Sequence, residues 1–224
     1  MSASSHSGNR AGQKLLGELV ADFPKGFPAC FVGAFHDDDA KWAKVTIEFL
    51  RSLGAKVVAP RLSDPTLDVA RARRDIETAK FLYLDGGDTV AGVTHIAARG
   101  LVDAFQSAAR TARAIFGLSG GACAAGPFTI GYDDHEQPYV AKCLALGAPV
   151  PLDVHDEDEW PEMRGLLQLV AKRRGLAKQG LVIPTGSVLV VEPDGSLASL
   201  GKKSCEQRKL APDGSWVIGV VPQL

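Results

Sequence analysis

An α/β architecture on a mostly parallel sheet follows from three features of the 224-residue sequence. Short apolar runs without polar alternation recur through the first half. Helical stretches of ten or more residues separate them, and two of the runs end in glycine-rich turns. Strands spaced by such helices mark βαβ units, and a sheet covered on both faces needs no polar alternation along its strands.

The elements read as follows. Residues 1–10 (MSASSHSGNR) are small and polar and predict a mobile tail, leaving residues 11–224 as one domain. Lys14–Asp22 is helical, with Leu15, Leu16, Leu19 and Val20 on one face. Ala29–Phe35 reads as a buried strand. Asp38 or Asp39 caps a helix running to about Leu53, whose apolar face is Trp42, Val45, Ile47, Phe49 and Leu50. Gly54 ends it, and Lys56–Pro60 is the next strand. Thr66–Ala79 is helical and Phe81–Leu84 a strand. Helices over Thr89–Ile96 and Leu101–Ala112 lead to the strand Ala114–Leu118. The second half is less regular: strands at Val140–Leu146, Leu181–Ile183 and Val188–Glu192, and a helix at Trp160–Arg173. A turn at Pro193–Ser196 precedes Leu197–Leu200, and Trp216–Val221 forms a last strand.

Composition narrows the function classes. Hydrophobic residues make up 46% and charged residues 23%, ordinary globular usage. The 25 basic and 26 acidic side chains leave a net charge of -1, which gives no reason to expect nucleic acid or anionic lipid as a partner. No apolar run reaches the roughly 20 residues of a membrane span. Cys30, Cys123, Cys143 and Cys205 are scattered without a C-x-x-C pair, which suits reduced thiols in a cytoplasmic protein rather than a disulfide or zinc framework. No cofactor or metal site is expected.

Two turns carry candidate chemistry. Gly117-Leu118-Ser119-Gly120-Gly121-Ala122 directly follows a strand and fits the nucleophile-elbow pattern G-x-S-x-G. A nucleophile on so tight a turn has a strained backbone, and only small neighbours avoid the strand and helix around it. The Gly120 N–H, opening the next helix, is free to hold an oxyanion. The bland alternative is a glycine-rich turn that packs tightly or binds an anion. Leu84-Asp85-Gly86-Gly87-Asp88-Thr89 ends another strand, so it shares the sheet's carboxyl edge with Ser119. Gly86 or Gly87 can give a second oxyanion donor; the alternative is a plain turn with Asp88 capping a helix. Among the histidines, His135 and His155 lie downstream of the elbow, and Asp153 stands two residues from His155.

Taken in order, these segments resemble the peptidase E (aspartyl dipeptidase) and cyanophycinase family of serine peptidases over about residues 29–200. The residues that carry the resemblance are GGDT at Gly86–Thr89, GLSGGA at Gly117–Ala122, DVH at Asp153–His155, MRGLL at Met163–Leu167 and IPTGSVLVVEPDG at Ile183–Gly195. The resemblance implies a three-layer αβα sandwich like that of class I glutamine amidotransferases. It implies Ser119 as nucleophile, His155 as general base and Gly87 and Gly120 as oxyanion donors. Gly86, Asp88, Thr89, Arg164 and Thr185 fall around the substrate, a small peptide or amide, and a homodimer is implied because related enzymes pair.

The departures bear on mechanism. Thr185 stands where the family has a glutamate that supports the histidine, so Asp153 or Asp134 becomes the candidate acid, Asp134 because its spacing from Ser119 matches an aspartate of the family's triad. Glu162 replaces one of two arginines, which disfavours an Asp-X dipeptide. Gly120 stands where the family has alanine, a change expected to loosen the turn. Two functions result: a serine hydrolase acting through an acyl-enzyme, or a catalytically weakened homologue that binds a small ligand. A cysteine nucleophile is set aside because Cys123 lies inside the helix after the turn. An α/β-hydrolase is rejected because no histidine follows His155.

Overall fold

The computed structural model describes residues 10–155, 159–171 and 178–224. Of the expected tail at residues 1–10, residues 1–9 lie outside the described residues and Arg10 instead opens the first helix; residues 172–173 of the expected Trp160–Arg173 helix also lie outside them. The first half alternates strands and helices in chain order: α1 (Arg10–Val20), β1 (Pro28–Val32), α2 (Ala40–Ser52), β2 (Lys56–Val58), α3 (Val69–Thr78), β3 (Phe81–Leu84), α4 (Thr89–Ala98), α5 (Val102–Thr111) and β4 (Ala114–Gly117). Its four strands pair in parallel in the order β2-β1-β3-β4.

Alternate residues of these strands face opposite sides, and each side is roofed by helices. Cys30, Val32, Leu82 and Leu84 pack with Ala72 and Ile76 of α3, Ile96 of α4 and Phe105 of α5. Ala29, Phe31, Phe81, Tyr83 and Phe116 pack with Leu16 and Val20 of α1 and Leu50 of α2. The result is the expected three-layer αβα sandwich. Across its second face the stacked rings of Phe31, Tyr83 and Phe116 run over three neighbouring strands, 5.8 and 5.4 Å between centroids. Such cross-strand aromatic pairs add about 0.5–1.5 kcal/mol each beyond their buried area.

Caps explain several boundaries. The Asp39 carboxylate accepts the Lys41 and Trp42 N–H groups and starts α2. Asp68 accepts from Arg71 N–H and Asp88 from Ala91 N–H, starting α3 and α4. The expected Ala29–Phe35 strand stops at Val32, because the chain tightens into a 3-10 turn at Ala34–His36. The expected apolar face of α2 is also corrected. Trp42 and Val45 are 60% and 55% exposed, and Ala43 and Thr46 join the expected Leu50 in facing the sheet.

The second half holds α6 (Gly120–Ala124), β5 (Phe128–Tyr132), β6 (Pro138–Lys142), β7 (Leu152–Val154), α7 (Pro161–Ala171), β8 (Gln179–Ile183), β9 (Ser187–Val191), β10 (Leu197–Gly201), β11 (Glu206–Leu210) and β12 (Trp216–Val220). β7 and β8 pair in parallel, and β8, β11 and β12 continue that sheet antiparallel. β5 with β6, and β9 with β10, form antiparallel hairpins. The expected strand Val140–Leu146 is therefore the hairpin arm Pro138–Lys142, and its partner β5, together with β7 and β11, is additional to the sequence reading. Among the described residues no helix is long and apolar enough to cross a membrane. All four cysteines are buried and free.

Candidate active site

Ser119 is the second of the two residues between β4 and α6, with φ 48° and ψ -118°. A non-glycine residue there is strained, at a cost of order 1–3 kcal/mol. Close crossings of the chain impose that conformation. A Cβ on Gly121 would lie 2.4 Å from the Asp85 carbonyl oxygen, and one on Gly117 would lie 2.6 Å from that of Gly121. A Cβ on Gly120 would stand 2.0 Å from the Gly87 oxygen. Gly120 therefore does not loosen the turn, contrary to the expectation from sequence. Its missing side chain lets the Gly86–Gly87 loop press against the start of α6. Thr89 ties the two together, its hydroxyl donating to the Gly120 carbonyl at 3.2 Å.

His155 follows β7 directly, so the strand pairing decides where it lies. Its N–H donates to the Ile183 carbonyl, extending the β7–β8 ladder by one residue. The backbone then turns to φ 97°, and the ring meets Ser119 with Nε2 3.1 Å from Oγ. With the ring proton on Nδ1, the hydroxyl donates to Nε2, the arrangement in which imidazole takes the proton of an attacking serine. The two groups lie within one proton transfer of each other. The N–H groups of Gly87 and Gly120 make no hydrogen bond to another described residue, which leaves both available beside the hydroxyl.

These residues open on a cleft of about 610 Å³. Its wall runs from Gly87, Asp88 and Thr89 past Ser119 and Gly120 to Tyr132, Asp153, His155, Trp160 and Glu162. Asp88, Asp153 and Glu162 give it acidic character, and no lysine or arginine lines it among the described residues. Burial, with the negative charges of Glu162 and Asp153, pushes the Tyr132 phenol above its ordinary range. Cys123 also borders the cleft, but burial above all, and then Asp153, raises its thiol far above the usual range. A thiol so held is no nucleophile near neutral pH.

The other expected site residues are distributed unevenly. Asp88 both caps α4 and faces the cleft. The Asp153 carboxylate accepts the Val154 and Met163 N–H groups at 2.8 and 3.1 Å, which ties β7 to the start of α7. Asp134 stands in the exposed turn between β5 and β6 and does not line the cleft. Thr185 is exposed in the turn after β8. Among the described residues, no carboxylate lies within hydrogen-bond distance of the His155 ring. Arg164 turns from the cleft: its guanidinium donates to the Gly214 carbonyl and pairs with Glu159, 2.6 and 2.8 Å, and lies 4.6 Å from the Trp216 ring centre. Sequence reasoning passed over Trp160 and Tyr132 as cleft residues. The alternation of Phe128, Ile130 and Tyr132 before the polar run Asp133–Gln137 was the signal for the hairpin that carries Tyr132.

The sequence model of peptidase family S51 matches residues 1–196. The chain belongs to that family. Its class of function is accordingly peptidase-type hydrolysis. No curated protein matches the sequence. Among solved structures, a peptidase from an acI-B1 Actinobacterium superposes with a TM-score of 0.68 at 12% identity, covering 98% of this chain and 91% of that one. A "Putative Peptidase E Protein" from Listeria monocytogenes EGD-e superposes at 0.54 with 14% identity, covering 89% and 93%. At such identities the likeness concerns the fold, and it agrees with the class I glutamine amidotransferase-like sandwich described above.

Proposed function

We propose that this S51 member is a serine hydrolase that cleaves a small peptide or amide bond through an acyl-enzyme at Ser119. His155 takes the hydroxyl proton as Oγ attacks the carbonyl carbon, then returns it to the leaving amine. The carbonyl oxygen, negative in the tetrahedral intermediate, is received by the N–H groups of Gly87 and Gly120. Water, deprotonated by the same imidazole, releases the acid product. The observation that carries this reading is the 3.1 Å contact between Oγ and Nε2 at the mouth of the cleft. Its volume suits a ligand of a few residues. The acids Asp88, Asp153 and Glu162 along its wall argue against a substrate side chain bearing a carboxylate, and so against Asp-X dipeptides.

A specific observation favours a second reading. Among the described residues no carboxylate stands at the His155 ring to stabilise the imidazolium formed on attack, as the acid of a full triad does. A slow hydrolase, or a homologue that binds its small ligand without turnover, fits that feature. A mixture of short peptides followed by mass spectrometry separates the two. Cleavage by the wild type that vanishes in Ser119→Ala supports the hydrolase. Binding of the same peptides without cleavage supports the second reading.

A further inference from the structure

The proposed chemistry makes no use of a buried ionisable pair beside the Gly86–Gly87 loop. Asp85, just past β3, is fully buried. Its Oδ1 accepts the Gly86 N–H at 2.9 Å, and its Oδ2 lies 3.2 Å from Nε2 of His36. The His36 ring is oriented from its other side, where Nδ1 accepts the Asp39 N–H at 3.1 Å. Nε2 therefore carries the proton that Asp85 accepts. The turn bearing His36 also grips the loop by its backbone: Asp88 N–H donates to the Phe35 carbonyl at 2.7 Å, and a Cβ on Gly87 would fall 1.9 Å from the same oxygen. The loop in turn touches the serine, since a Cβ on Gly86 would lie 3.4 Å from that of Ser119.

A buried carboxylate is costly unless it is paired and hydrogen-bonded. Here the carboxylate holds the Asp85–Gly86 peptide plane and the Phe35 carbonyl holds the Gly87–Asp88 plane, so the intervening plane that carries the Gly87 N–H is pinned from both sides. Burial works against charge on His36, but the hydrogen bond and charge of Asp85 outweigh it and raise its pKa. We infer that His36 and Asp85 form a positioning pair, which fixes the Gly86–Gly87 backbone as an oxyanion donor for Ser119. The inference rests on the reading of Ser119 as nucleophile, and neither residue touches the cleft.

Two substitutions test it. His36→Phe removes the donor and keeps a ring, whereas His36→Gln keeps a donor. Labelling of Ser119 by a fluorophosphonate places a phosphoryl oxygen in the oxyanion site. The labelling rate falls about tenfold or more in His36→Phe and stays within about threefold of wild type in His36→Gln. Amide exchange at Gly86, followed by NMR, accelerates about tenfold or more in His36→Phe and recovers in His36→Gln. Equal labelling and exchange in all three proteins overturn the inference, as does equal loss in both variants. A wild type that takes no label refutes the serine reading alone, because exchange at Gly86 still decides whether the pair positions the loop. Should His36→Phe not fold, Asp85→Asn replaces it: its amide sets a donor against the His36 Nε2–H, and wild-type exchange there refutes the pair.

Discussion

Ser119 and His155 meet at one contact but are held by halves of the molecule built on different terms. The serine leaves a wholly parallel four-stranded sheet, and the glycines at 87, 117, 120 and 121 let backbone cross backbone around it at distances no side chain allows. The histidine follows the three-residue strand β7 and is exposed, and Glu159 and Trp160, ahead of α7, also have positive φ. Glu159 is anchored by the second half's own chemistry. Trp216 Nε1 donates to the Glu159 carbonyl at 3.2 Å, and Arg164 bridges Glu159 to the Gly214 carbonyl. The nucleophile is thus fixed by steric crowding, whereas the described contacts of the base are its N–H on the Ile183 carbonyl and its ring on Ser119.

Substitutions on the two sides should fail differently. His155→Ala should lower turnover by about 10²–10⁴-fold with an unchanged melting temperature, since the ring is exposed; stopped assays beside calorimetry check both. Gly120→Ala, which restores the residue usual in the family, should lower stability by about 1–3 kcal/mol. It should also reduce turnover, because the Gly87 carbonyl must move away from the new Cβ. A more active or more stable alanine variant would contradict the steric account of the serine side. Arg164→Ala should cost about 1–2 kcal/mol from a partly exposed ion pair and ring contact. It should slow turnover by loosening Glu159 beside the cleft residue Trp160, while fluorophosphonate labelling of Ser119 persists.

The smallest effect concerns pH. His36 has a raised pKa in the folded state, so its protonated form adds stability that is fully present below its unfolded value near ~6.5. That contribution is lost as pH rises through the folded value. Melting curves should therefore show wild type losing stability relative to His36→Gln as pH is raised from about 6 to about 8. A constant difference would mean that folding does not shift the His36 titration.

The same division governed what could be read from sequence. β3 and β4 are apolar runs that lead into glycine-rich turns, and α2, α3 and α4 begin at capping aspartates, so the parallel half was legible to within a few residues. β11 (EQRKL) carries no apolar pattern. It is a strand because β8 and β12 flank it and because Arg208 lies over the rings of Trp160 and Trp216. Ser119 and the glycine loops could be found because tight turns leave a local signature. The His36–Asp85 pair could not, since its partners are distant in sequence and only the β1–β3 pairing joins them. The residue that would orient the His155 ring has no local signature either.

Whether Ser119 is a nucleophile activated by His155 is tested most directly by intact-mass analysis after treatment with a fluorophosphonate. One phosphonyl group should add to the wild type and map to Ser119, with no addition to Ser119→Ala and much slower addition to His155→Ala. Equal labelling of the wild type and Ser119→Ala, or none in either, would contradict that assignment.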